Sequence, residues 1–175
     1  MQTPVLETAR LKLRPFCAAD GPAVFACWES DPEVARYMFW SSHNDVNKSI
    51  AWAAEEACKA ADAMWYRFAI EEKTTGRLIG TGLVYYEPEV SGWEVAYNFG
   101  RAYWGRGYAT EAMARILAFA REELQLTAFV GRCAAENPAS ARVLEKLGFQ
   151  YEAEIPYPCG AGKVMREGRR YRYSG

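Results

Sequence analysis

The spacing of apolar and polar residues predicts a series of strands and short helices in the first half of the chain. Leu11–Arg14 alternates apolar and charged residues, which is typical of a half-buried strand. Asp20 and Asp31 are each followed closely by a proline, a pattern that favours the start of a helix. An Ala-rich helix is predicted from about Asn44 to Asp62. Strand-like runs then follow at Trp65–Glu71, Leu78–Tyr86 and Trp93–Phe99.

Strands and helices alternate in the second half. Ala109–Leu124 carries an apolar stripe at helical spacing, and Pro138–Leu147 reads as a shorter helix that ends at Gly148. Strands are predicted at Thr127–Cys133, Phe149–Glu154 and Val164–Tyr173, the last two separated by Pro156 and Pro158. This order predicts one α/β (α+β) domain over residues 1–175, in which a mixed sheet carries helices on both faces.

The composition narrows the class of protein. Half of the 175 residues are hydrophobic and a quarter are charged, which excludes a disordered or fibrous chain. The 21 basic and 22 acidic residues leave a net charge of −1, so no overall field attracts DNA or an anionic membrane. The 6 Trp, 11 Tyr and 8 Phe exceed what a core of this size requires. We therefore expect some aromatic side chains to line a concave site.

Cysteine and histidine usage argues against a metal site. The five cysteines form no CxxC pair, and His43 is the only histidine, so neither a Cys-ligated nor a His-pair zinc site is expected. Met1–Arg14 has charged residues in place of an apolar signal region, and the longest apolar run, Leu78–Tyr86, is too short to span a bilayer. The expected location is the cytoplasm.

The segment after Trp93–Phe99 carries the most specific chemical signal. A strand there leads through a glycine-containing loop into a helix, whose first turn leaves about four N–H groups unpaired and favours a phosphate. A Walker A loop is excluded because no Lys-Ser/Thr pair follows, and Gly105–Thr110 is only a partial dinucleotide motif. Trp104–Ala109 instead fills the pattern [Q/R/W]xxGx[G/A] of a pyrophosphate-binding loop.

Four motifs together resemble the GNAT superfamily of acetyl-CoA-dependent N-acetyltransferases. They are Trp104–Ala112, Asn137–Ser140, Leu144–Phe149 and Leu6–Phe16, and the last is similar to the RimJ/RimL-like branch of ribosomal-protein N-terminal acetyltransferases. The resemblance spans about residues 5–155. It implies acetyl transfer from acetyl-CoA, without a metal, to a primary amine, either a protein N-terminus or a small molecule.

The resemblance also implies a fold and a set of cofactor contacts. The sheet would be mostly antiparallel and splayed between two parallel strands, Trp93–Phe99 and Thr127–Cys133, with the pantetheine arm of CoA in the split. Main-chain N–H groups from Arg106 to Thr110 would hold the pyrophosphate. Asn137 matches a pantetheine contact, although it is equally a good helix cap. The cofactor-binding residues implied in this way are Tyr97, Arg101, Arg106, Gly107, Tyr108, Ala109, Thr110, Asn137 and Ser140.

Glu94 and Ser140 are the candidate catalytic residues. Strand alternation places Glu94 with Ala96 and Asn98 on one face, and Glu94 matches a position where family members carry the general base. Ser140 matches a position near the thioester sulfur. The implied mechanism is direct attack by the amine in a ternary complex. Aromatic residues that either wall the acceptor pocket or belong to the core are Tyr37, Phe39, Trp40, Tyr85 and Tyr86.

Two features leave alternatives open. Glu111 is interpreted as a first-turn residue that complements the helix dipole and pairs with Arg115. The segment from Lys163 to Gly175 carries five positive residues and one negative residue. It is either a solvated strand or a patch for an acidic or ribosomal partner, and the exposed aromatics leave a homodimer open. The alternative function is a non-catalytic acyl-CoA-binding or sensor module that uses this basic strand to contact its partner.

Overall fold

The computed structural model describes residues 1–175. The strands are β1 (Leu6–Glu7), β2 (Leu11–Arg14), β3 (Trp65–Glu72), β4 (Arg77–Glu87), β5 (Gly92–Phe99), β6 (Ala128–Ala134), β7 (Gln150–Cys159) and β8 (Val164–Ser174). The helices are α1 (Gly21–Val24), α2 (Pro32–Ala35), α3 (Val46–Cys58), α4 (Tyr108–Glu122) and α5 (Pro138–Lys146). None of the helices combines the length and the apolar content needed to cross a bilayer.

All eight strands form one sheet in the order β1-β2-β3-β4-β5-β6-β8-β7. Every neighbouring pair is antiparallel except β5 and β6, which run parallel. Helices α1 to α3 pack on the face that carries Trp65, Arg67 and Ala69, whereas α4 and α5 cover the opposite face. The predicted mixed, mostly antiparallel α/β fold is therefore confirmed.

The sheet opens between its two parallel strands. The register of β5 on β6 contains only Glu94 opposite Val130 and Val95 opposite Gly131. Beyond that point β5 continues to Phe99 and β6 to Ala134 without pairing to each other. Main-chain groups along both strands are left without ladder partners, so the split offers hydrogen bonds to an extended ligand.

The larger core lies between the sheet and α4. Met113, Ile116, Leu117 and Ala120 form its helical stripe, as the apolar spacing predicts, and Phe119 joins them. Because α4 is anchored along this stripe, its N-terminal turn is fixed next to the C-terminal end of β5. The position of the glycine loop is thus set by the burial of apolar side chains.

The short strand β1 is not among the predicted strands, and the largest difference in a strand boundary lies at the end of β7. β7 does not stop at Glu154 but runs through both prolines to Cys159, with Pro156 opposite Glu167 and Pro158 opposite Met165. Proline is tolerated there because β7 is the last strand of the sheet, so one of its edges needs no N–H donors. The β7–β8 hairpin is consequently longer than predicted and reaches the loop after α2, where the Gly160 N–H donates to the Met38 carbonyl at 3.0 Å.

Candidate active site

The glycine loop adopts the geometry that a bound diphosphate needs. Gly105 and Gly107 have φ values of 73° and 80°, in the left-handed region that glycine enters without strain. The first intrahelical bond of α4 runs from the Glu111 N–H to the Gly107 carbonyl at 3.0 Å. The N–H groups of Tyr108, Ala109 and Thr110 therefore have no acceptor within the helix, and they form a donor cluster at its positive end.

Arg101 and Arg106, which are predicted to bind the cofactor beside this loop, are both exposed. Arg106 is exposed, with its guanidinium carbon 5.9 Å from the centre of the Tyr103 ring. Arg101 is also exposed and places Nε 3.0 Å from Oδ2 of Asp31. Arg106 is thus free to meet an anion at the loop, whereas Arg101 is already paired with a carboxylate.

Tyr97 and Ser140 meet at the split. The Tyr97 hydroxyl lies 2.8 Å from Ser140 Oγ and 3.0 Å from the Ser140 carbonyl oxygen. Both contacts are satisfied when Tyr97 donates to the carbonyl and Ser140 Oγ donates to the tyrosine oxygen. Burial raises the pKa of Tyr97, so its proton stays in place at neutral pH. The pair links β5 to the first turn of α5 across the open part of the sheet.

Asn137 fulfils the capping role anticipated for it. Its Oδ1 accepts a hydrogen bond from the Ser140 N–H at 3.1 Å, which caps α5. The side-chain amide nitrogen forms no hydrogen bond within the chain and remains available to a ligand. The cap and the predicted pantetheine contact are therefore compatible.

Glu94 lies on the opposite face of the split, where it is buried and held by an arginine. Its side chain is only 6% exposed. Arg132 Nε donates to Oε1 at 2.9 Å, and Arg132 Nη2 lies 2.7 Å from Oε2. Burial raises the pKa of Glu94, and the hydrogen bonds and charge of Arg132 oppose that rise without cancelling it. Glu94 is a carboxylate whose affinity for a proton is set by two competing effects.

Arg132 is the main residue of this site that the sequence analysis missed. It lies on β6 two residues after Val130, the parallel partner of Glu94, so both side chains point to the same face. Glu87 and Glu89 approach it at 3.6 and 3.7 Å, so three carboxylates surround one guanidinium. The alternating strand pattern predicts its face, but only the register of β5 on β6 brings it to Glu94.

The predicted acceptor-pocket aromatics are not all on one side of the sheet. Tyr85 lies directly opposite Glu94 in the β4–β5 ladder and on the same face. Tyr86 is on the other face, 6.0 Å from the Trp93 ring, because adjacent strand residues point in opposite directions. The structure therefore separates Tyr86 from the candidate site.

The remaining predicted aromatics come from the loop after α2. Tyr37 lies 5.4 Å from the Arg166 guanidinium of β8. Trp40 packs against the smaller core beside α1, and Phe39 is 63% exposed. This loop is joined to the β7–β8 hairpin by hydrogen bonds from the main-chain N–H groups of Gly160 and Ala161.

The arginines of β8 are largely paired within the chain. Arg166 contacts Glu136 at 2.9 Å, and Arg170 and Arg172 contact Glu152 at 2.6 and 2.7 Å. Their charges are offset locally, which favours the solvated strand over the basic patch. The structure brings together no group of three or more His, Cys, Asp or Glu side chains able to hold a metal ion.

Comparisons with known proteins agree with this geometry. The acetyltransferase (GNAT) domain family matches residues 10–150. The chain belongs to the GNAT acetyltransferases. It is 32% identical over 162 residues to p20, an uncharacterized N-acetyltransferase of Bacillus licheniformis, a match that covers 91% of this chain and 90% of the relative.

Two solved acetyltransferase structures extend the comparison to ligands. The microcin C7 self-immunity acetyltransferase MccE, in complex with acetyl-CoA and AMP, has a TM-score of 0.84 at 14% identity and covers 96% of this chain and 94% of its own. RimL, the ribosomal L7/L12 α-N-protein acetyltransferase, in complex with coenzyme A, has a TM-score of 0.83 at 14% identity, with coverage of 99% and 98%. At these identities the likeness establishes the shared fold.

Proposed function

We propose that this GNAT protein transfers the acetyl group of acetyl-CoA to a primary amine by direct attack in a ternary complex. The observation that carries the proposal is the open split between β5 and β6. On one side it has the unpaired N–H groups of α4, and on the other the buried carboxylate of Glu94. A thioester threaded through such a split reaches both faces of the sheet.

The donor half of the proposal rests on the glycine loop and the strand edges. The N–H groups of Tyr108, Ala109 and Thr110, with Gly107 and Arg106, would hold the diphosphate at the N-terminus of α4. The pantetheine arm, itself rich in amide groups, would pair with the open edges of β5 and β6, and the amide of Asn137 would add a donor. The MccE and RimL complexes support this choice of cofactor, because those proteins share the fold and contain acetyl-CoA or CoA.

The acceptor half rests on Glu94. An α-amine with a pKa of about 7.7–8.0 is roughly one-tenth neutral at pH 7, whereas a lysine amine is neutral to less than about one part in a thousand. Arg132 occupies both oxygens of Glu94 and limits its basicity, so Glu94 would accept the ammonium proton through a water molecule. This arrangement suits an α-amine or another weakly basic primary amine better than a free lysine side chain.

The departing thiolate needs little acid catalysis. Its pKa of about 8.5 makes it a good leaving group. Ser140 Oγ would turn its proton from Tyr97 to the sulfur as the charge of the sulfur develops, while the Tyr97 hydroxyl keeps its hydrogen bond to the Ser140 carbonyl. A main-chain N–H group on the edge of β5 that faces the split, at Val95 or Ala96, would hold the oxyanion of the tetrahedral intermediate. No acyl-enzyme is formed in this scheme.

The test is acetyl-CoA turnover over a panel of N-terminal peptides, polyamines, amino acids and aminoglycosides, for the wild type, Glu94→Gln and the control Glu152→Gln. We expect Glu94→Gln to lower kcat/KM for the amine by a factor on the order of 10²–10⁴ and to leave acetyl-CoA binding intact. Its residual rate rises with pH as more amine becomes neutral. Full activity of Glu94→Gln across the pH range would overturn the role of Glu94. Acetyl-CoA binding without turnover of any amine would favour the sensor module.

A further inference from the structure

The N-terminal segment between β1 and β2 contacts the first turn of α4 directly. Thr8 Oγ1 donates to Glu111 Oε1 at 2.6 Å, and the Arg10 main-chain N–H donates to the same oxygen at 3.0 Å. Arg10 Nε donates to Glu111 Oε2 at 2.6 Å. Both oxygens of Glu111 are thus held by this segment, and the predicted partner Arg115 is not the one that the structure shows.

Arg10 also holds the glycine loop itself. Its Nη1 donates to the Arg106 carbonyl at 3.0 Å, and its guanidinium carbon lies 4.4 Å above the Tyr108 ring. Tyr108 is fixed in turn by a hydrogen bond from its hydroxyl to Glu72. The Arg106 carbonyl belongs to the peptide that precedes Gly107, so this bond restrains the loop directly before the N–H groups of α4 that have no acceptor within the helix.

The charge of Glu111 makes this contact important for anion binding. Its carboxylate lies in the first turn of the helix whose N–H groups would hold the diphosphate, so an unpaired Glu111 would repel that ligand. Arg10 offsets that charge at 2.6 Å. Burial acts to raise the pKa of Glu111, but the hydrogen bonds from Thr8 and Arg10 outweigh it, so the carboxylate stays ionised and paired.

We propose that Arg10 is a positioning residue of the donor site: it orients the glycine loop through the Arg106 carbonyl and neutralises Glu111, so that the N-terminus of α4 accepts the diphosphate of the acyl donor. This inference rests on the proposed function. All the contacts of the Arg10 side chain are to Glu111, the Arg106 carbonyl and the Tyr108 ring, so we expect its effect to be confined to the part of the donor that carries phosphate.

The experiment compares two acyl donors, acetyl-CoA and S-acetylpantetheine, which share the reacting group but differ in the diphosphate and nucleotide. For Arg10→Met we expect KM for acetyl-CoA to rise about tenfold or more, with kcat within twofold of the wild type, and kcat/KM for S-acetylpantetheine to stay unchanged. Arg10→Met/Glu111→Gln should recover part of the lost affinity, because no unpaired carboxylate remains. Arg115→Met, which alters a cation one turn along the same helix, serves as the matched control and should match the wild type.

The outcomes separate this inference from the proposed function. An equal loss of kcat/KM for acetyl-CoA and S-acetylpantetheine in Arg10→Met would show a general structural defect and would overturn the positioning role. An unchanged KM for acetyl-CoA would also overturn it. Should Arg10→Met prove too unstable to purify, Arg10→Lys keeps the charge but loses the bonds made by Nε and Nη1 together, and the same donor comparison applies. A wild-type protein that turns over neither donor would refute the proposed function, irrespective of Arg10.

Discussion

Replacing Arg132 by methionine tests whether the Glu94–Arg132 ion pair sets the acidic limit of activity. Methionine fills much of the same volume but removes the two contacts of 2.9 and 2.7 Å to the Glu94 carboxylate. In the intact protein burial raises the pKa of Glu94 and Arg132 opposes it. Arg132→Met removes the guanidinium that lowers the pKa of Glu94. Burial and the negative charge of Glu87, which both raise that pKa, remain. The pKa of Glu94 should therefore rise further.

The magnitude follows from the geometry of the pair. A carboxylate in contact with an arginine typically has its pKa lowered by about 1–3 units, which corresponds to roughly 1.4–4 kcal/mol. The other titratable groups that act on Glu94 are Tyr85 on β4 and Tyr157 on β7, and the substitution leaves them in place. In the proposed mechanism the ionised form of Glu94 is the active base, so the acidic limb of kcat/KM should move to higher pH by about 1–3 pH units.

The assay is the pH dependence of kcat/KM for the amine at saturating acetyl-CoA, from about pH 5 to 9. Arg132→Lys should give an intermediate limb, since one ammonium replaces two guanidinium contacts. Arg172→Met, on the same sheet but paired with Glu152, should reproduce the wild-type profile. An acidic limb that stays at the wild-type position in Arg132→Met would refute the reasoning. If Arg132→Met is too unstable to assay, the pH profile of Arg132→Lys decides, because the lysine variant retains a positive charge beside Glu94.

Three further predictions concern packing, the loop and the thiols. Gly131→Ala should lower the free energy of unfolding by about 1–3 kcal/mol and Tm by several degrees, because the alanine Cβ would lie 2.5 Å from Leu144 Cδ2. Differential scanning calorimetry measures the free energy of unfolding and Tm. Gly107→Ala should raise KM for acetyl-CoA more than Gly105→Ala does: both substitutions strain a positive φ, but Gly107 directly precedes α4, so strain there acts on the N–H groups of its first turn, and a smaller effect of Gly107→Ala would contradict this. At pH 7 iodoacetamide should label the two exposed cysteines well before Cys133, whose pKa burial raises to about 11, as peptide mass spectrometry would show.

The sequence motifs predicted the geometry of the candidate donor site more completely than that of the candidate acceptor site. The glycine loop, the cap at Asn137 and the stripe of α4 are local patterns, in which residues a few positions apart are also neighbours in space. Glu94 could be placed on a strand face for the same reason. Tyr86 shows the limit of such reasoning, because its aromatic character suggested a pocket wall while strand alternation turned it toward Trp93.

Glu111 shows how local reasoning chooses the wrong partner. Arg115 is the nearest cation at helical spacing, and an isolated helix would favour that pair. In the folded chain Thr8 and Arg10 reach both carboxylate oxygens from a segment about a hundred residues earlier, with main-chain and side-chain donors combined. The prolines of β7 led to a wrong prediction for the same reason. They indicated that the strand ends before them, but the strand continues through both prolines because it lies at the edge of the sheet.

The amino-acid sequence by itself determined the order of strands and helices, the single mixed sheet and the glycine loop at the start of α4, because periodicity, caps and turn residues act over a few neighbouring positions. Tertiary structure alone decided which charges meet: Arg132 with Glu94 through the register of two parallel strands, and Arg10 with Glu111 through the packing of the N-terminal segment on α4. Ion pairs form between whichever opposite charges the fold brings within a few ångströms, and distance along the chain does not measure that proximity.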